Sequence, residues 1–179
     1  MIRLIVGTIL FAFVCLILQG AVLHSIFPAY MIPNFLLVLV VFIGFHEVSV
    51  LGVILAFLCG ILFDLFSGTL IGPWSGSFVF IYVLLALFAQ RLFTRSNFTV
   101  VISVFVANVI STALYFALLY QFQPLRGSLI SVSLIESLSS AIVAPAIFAV
   151  LNRLLLADTP LRASRHSIAE VFSIARSER

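Results

Sequence analysis

Gly52-Val-Ile-Leu-Ala56-Phe-Leu-Cys-Gly60-Ile-Leu-Phe-Asp64 is an apolar, helix-length run with a small residue at every fourth position and a carboxylate at its end. Small residues at that spacing let helix backbones approach closely in lipid, where packing drives association. Asp64 continues the row with a drift of ~40° per step at 3.6 residues per turn, so it leans toward the packed side. It is the only acid between Glu47 and Glu136. A carboxylate in such surroundings needs a partner, water or an interface position.

The rest of the chain is equally apolar. Of its 179 residues 64% are hydrophobic and 8% charged, against ~25% charged in soluble domains. That length holds several spans of ~20 residues each and leaves no room for a soluble catalytic domain. The apolar run at 4–23 is longer than the ~7–15 residues of a signal-peptide core and no cleavage site follows, so it reads as a retained first span. Cys15 and Cys59 sit in apolar segments as small hydrophobes, without the spacing of a metal or redox motif. The net charge of +3 forms no basic stripe, which argues against a nucleic-acid partner.

Six helices are expected, at 4–23, 34–45, 48–66, 77–93, 97–120 and 129–152, giving an all-α integral membrane protein with a six-helix transmembrane domain over 1–156. The second is short, ~18 Å of helix against a core of ~30 Å. It either starts earlier, across Pro28 and Pro33, or is re-entrant; Gly44-Phe45-His46-Glu47 is the expected turn after it. With six spans, Arg3, Arg91, Arg95, Arg153, Arg162, Arg165, Arg176 and Arg179 share one face and Arg126 stands alone on the other. The positive-inside rule then places both termini in the cytoplasm. Asp64, Glu136 and Arg126 fall on the outer side. The segment 157–179 reads as a cytoplasmic tail, in which the capping box Ser167-Ile-Ala-Glu170 opens a short amphipathic helix.

Two further helices carry small or polar faces. The fifth has Ser103, Ala107 and Ser111 beside a stripe of Asn108, Ser111, Thr112 and Tyr115; the sixth has Ser133, Ser137, Ser140 and Ala144 beside Glu136. Interhelical hydrogen bonds explain such stripes at ~0.6 kcal/mol each, and a ligand cavity is the rival reading. The run 67–76 is rich in turn residues and includes Gly72 and Trp74, the latter expected as an interfacial anchor. His24, His46 and His166 fall at different places and cannot converge on one site, and no HExxH or GxSxG motif occurs. No catalytic, cofactor or metal residue is assigned. Structural pairing of Asp64 and Glu136 with Arg126 is the expected use of the charges.

Pro33-Asn34-Phe35-Leu-Leu-Val-Leu, then Gly52, then Gly60-Ile-Leu-Phe-Asp64, then Gly72 and a further span to Tyr82 resemble the rod shape-determining MreD family. The resemblance implies a non-enzymatic protein of the bacterial inner membrane, without cofactor, in the cell-elongation machinery. It implies association with MreC, a single-span protein with a periplasmic coiled coil. It also implies work alongside the cytoskeletal protein MreB and a glycosyltransferase–penicillin-binding protein pair that builds lateral peptidoglycan. The implied fold is similar to the six-helix substrate-binding component of energy-coupling-factor vitamin transporters. On this reading Gly52, Ala56, Gly60, Asp64, Gly72, Arg126 and Glu136 are the structural or interaction candidates. The rival is a small-molecule-binding membrane component of a transporter, with Asp64, Glu136 and the fifth-helix stripe facing one cavity. A reporter fused before Met1 should read out in the cytoplasm; a periplasmic signal would leave five spans.

Overall fold

The computed structural model describes residues 2–28, 31–67, 72–88, 97–120 and 129–155. Arg126, the tail 157–179 and the run 68–71 that precedes Gly72 lie outside them. The described chain is helical. α1 (Ile2–Ile17) passes without a break into a π-helical stretch, Leu18–Leu23, and a last α-turn, His24–Ile26. There follow α2 (Phe35–His46), α3 (Val50–Ser67), α4 (Pro73–Phe88), α5 (Asn97–Tyr120) and α6 (Leu129–Leu155).

Among the described residues four segments are long and apolar enough to cross a membrane: Ile5–Ile26, Val50–Ser67, Phe98–Leu118 and Ser133–Leu155. α2 and α4, with 12 and 16 residues, are shorter. The reason for α2 is burial. Every residue from Phe35 to Gly44 is buried, and α2 packs against each of the other five helices. A helix apolar on all sides belongs inside protein, and one enclosed by protein has no lipid thickness to match. Its N-terminus finds protein partners instead: Leu37 N–H donates to Asn34 Oδ1 (3.1 Å), and Asn34 N–H donates to Ser140 Oγ on α6 (2.8 Å). Around this strut the outer faces are apolar, with Val50, Leu87 and Phe98 each more than 70% exposed. Such a surface suits lipid rather than water.

α3 lies against α4 in the most extensive helix pair of the bundle. The face it buries is Gly52, Leu55, Ala56, Cys59, Gly60 and Asp64, so the four-residue row points into the bundle. At Gly60 the backbones nearly touch. A methyl group there would clash with Ser75 Cα and lie 2.9 Å from Ser75 N and 3.1 Å from Trp74 O. Because these are backbone atoms, the clash has no side-chain relief. At Gly52 the neighbour is the Tyr82 ring. The Tyr82 hydroxyl accepts from Ser49 N–H (3.1 Å) and donates to Glu47 O (2.6 Å), with Ser49 O also in reach at 2.9 Å. That clasp fixes the turn between α2 and α3, which falls at 47–49; Gly44 lies inside α2, not in the turn.

Gly60→Ala should lower the unfolding midpoint in mixed micelles by the equivalent of ~1–3 kcal/mol, the usual cost of overpacking. A methyl group at Gly76 meets nothing within 4 Å, so Gly76→Ala should hold or raise the midpoint. Equal midpoints for the two variants would rule out the close approach at Gly60.

Candidate functional site

The Asp64 carboxylate is 1% exposed, and its partners are the first turn of α4. Oδ2 accepts from Gly72 N–H (2.9 Å), Ser75 N–H (3.1 Å) and Ser75 Oγ (2.6 Å), and Oδ1 from Trp74 N–H (3.1 Å). A helix start leaves its first N–H groups without intrahelical partners. Here Pro73 has no N–H to satisfy, which is why proline suits the first helical position. Asp64 takes the donors on either side of it, and the first backbone bond of α4 runs from Gly76 N–H to Gly72 O (2.9 Å). The negative charge also faces the positive end of the α4 dipole. Gly72 sits at φ +126°, a backbone conformation that favours glycine.

This geometry revises the setting of Asp64, the start of α4 and the place of Trp74. Asp64 lies away from solvent, so its cost in the membrane is met by hydrogen bonds to α4; nearness to the outer surface does not meet it. The bonds it makes among the described residues go to α4; the expected pairing with Arg126 lies outside the described residues. α4 begins at Pro73, four residues before 77, because Asp64 completes its first turn. Trp74 is correspondingly inside the bundle. It is 8% exposed, stacks on Tyr115 with centroids 4.4 Å apart and meets Phe63 edge-on at 4.8 Å, which is not the setting of an interfacial anchor.

The polar stripes of α5 and α6 meet in a second buried cluster. Ser140 Oγ accepts from Asn34 N–H (2.8 Å) and from Asn108 Nδ2 (2.9 Å) while donating to Glu136 O (2.8 Å). Thr112 Oγ1 donates to Asn108 Oδ1 (3.4 Å). One hydroxyl thus ties α2, α5 and α6 together. The Asn34 Nδ2 and Ser111 Oγ atoms beside this chain of contacts are buried without a partner among the described residues.

Of the candidates, Gly52, Ala56, Gly60, Asp64 and Gly72 converge on the α3–α4 contact; Glu136 does not. It lines a separate cavity of about 360 Å³ with Gln19, His24, Phe63 and Trp74. No group of three or more His, Cys, Asp or Glu residues with metal-binding geometry occurs among the described residues. Sequence reasoning missed Ser75, Tyr82 and Asn34. Asn34 directly before an apolar run is a readable N-cap signal. Gly72-Pro73 at a helix start was also readable. Tyr82 gave none, since its role depends on a turn distant in sequence.

Fold and site together define an all-helical membrane protein whose deepest acid serves helix packing. The chain matches the family model described as rod shape-determining protein MreD over residues 1–154. It belongs to the MreD family, and membership implies a role in rod shape determination. Neither a search of curated proteins nor one of solved structures returns a match, so the likeness to an energy-coupling-factor component rests on the family resemblance alone.

Asp64→Ala strands at least two buried N–H donors, at ~1–3 kcal/mol each, whereas Ser75→Ala removes only a hydroxyl. The unfolding midpoint should fall further for Asp64→Ala than for Ser75→Ala, and a charge exchange with Arg126 should not rescue it. Rescue by exchange would show that charge pairing, not capping, is the role of Asp64.

Proposed function

We propose that this protein is a non-enzymatic scaffold of the cell-elongation machinery in the bacterial inner membrane, with both termini in the cytoplasm. Its bundle holds an MreC-like single-span coiled-coil protein and helps control the glycosyltransferase–penicillin-binding protein pair, alongside MreB. The observation that carries this reading is how the buried polar groups are used. Asp64 closes the first turn of α4, and Ser140 joins α2, α5 and α6. These contacts tie the helices to one another and leave apolar outer faces, which suits a protein that binds other membrane helices.

The transporter reading needs Asp64, Glu136 and the α5 stripe around one cavity. Asp64 and Asn108 are engaged in helix contacts, and only Glu136 of these lines the cavity described above. The scaffold reading is therefore the better supported.

Affinity isolation of the full chain in mild detergent should recover a single-span coiled-coil partner, and depletion should turn rods into rounded cells. Recovery of an energising transporter module with unchanged cell shape would reject the scaffold.

A further inference from the structure

The cavity beside Glu136 lies where helix ends meet. Its walls come from the last turns of α1, the end of α3, the start of α4 and the first third of α6. Glu136 is seven residues into α6, ~10 Å from its start at 1.5 Å per residue. It also lies three residues inside the apolar stretch Ser133–Leu155, near the end of that stretch.

One acceptor faces this space with nothing donating to it, and a second lies buried in its wall. The Glu136 carboxylate has no hydrogen-bond or charge partner among the described residues, where only its backbone carbonyl is engaged. Gln19 Oε1 is buried and without a partner. Gln19 sits in the π-helical stretch Leu18–Leu23, a local widening of the helix that is common at functional sites. Phe63 and Trp74, edge to face with centroids 4.8 Å apart, and Leu16 also line the cavity. A carboxylate in a membrane demands a partner. A carboxylate, the His24 imidazole, which accepts through its unprotonated nitrogen when neutral, and aromatic rings around one space suit a cation with several N–H donors.

We propose that this cavity binds a primary ammonium group, supplied by the headgroup of an aminophospholipid such as phosphatidylethanolamine. Glu136 takes the charge, Gln19 turns its buried amide oxygen toward a second N–H, and Trp74 and Phe63 pack beside the ammonium and its methylenes. An anionic headgroup lacking an amine is disfavoured by the same carboxylate.

The chain contains a single tryptophan, and it lines this cavity, so its emission reports binding there. Full-length protein in detergent is titrated with dihexanoyl phosphatidylethanolamine, with dihexanoyl phosphatidylglycerol and with ethanolamine alone. Phosphatidylethanolamine should give a saturable change in Trp74 emission, and phosphatidylglycerol none. Glu136→Gln should weaken that response at least tenfold, and Gln19→Leu several-fold, at unchanged helicity. Ethanolamine competing at comparable concentration would assign the site to a free amine instead of a lipid and overturn the lipid source. Equal responses to both lipids, or full binding by Glu136→Gln, would overturn the site. If Glu136→Gln does not fold, full binding by Gln19→Leu in its place overturns it equally.

Discussion

One carboxylate and one helix start hold the centre of this protein together. Asp64 brings α3 to α4 by accepting the N–H groups that α4 cannot satisfy for itself. Each side removes the other's cost. A buried acid and a set of orphan donors are both unfavourable in lipid, and joined they form charge-assisted bonds. Gly60 is what makes the joining geometrically possible, because any side chain there would hold Ser75 away. Gly72, at positive φ, turns the chain so that its own N–H also points at Asp64. The Gly60-to-Asp64 spacing and the Gly72-Pro73 pair therefore express a single structural requirement.

The short α2 depends on the same arrangement. A 12-residue apolar helix is stable at membrane depth only if protein encloses it. Two polar links do so at its ends: Asn34 bonded to Ser140 on α6, and Tyr82 on α4 clasping the turn at 47–49. α4 reaches that turn because Asp64 fixes its other end. A loosened cap would thus be felt some distance away, in the seating of α2.

The sequence carried much of this in readable form. The row Gly52, Ala56, Gly60, Asp64 announced a packed face, since spacing by four has one structural meaning in an apolar helix. The stripes on α5 and α6 announced a polar contact and, with Asn108 and Ser140, the structure supplies one. What stayed hidden was the identity of partners. A carboxylate's need for a counterpart is legible from composition, but arginine is the obvious candidate by charge, and backbone N–H groups leave no trace in a side-chain pattern. Trp74 misled for a related reason. Its position beside a turn suggested an interface, whereas a helix that begins at Pro73 carries it straight into the bundle.

The two acids of the membrane region now stand in contrast. Asp64 is 1% exposed and enclosed by four donors, so its part is to hold α4 against α3. Glu136, on a different helix and beside a cavity, has none among the described residues. Trp74 has its backbone N–H held by Asp64 and its ring in the wall of the Glu136 cavity. The cap that joins α3 to α4 therefore also sets the shape of the space that Glu136 faces, and a change at Asp64 would be felt there without any direct contact between the two carboxylates.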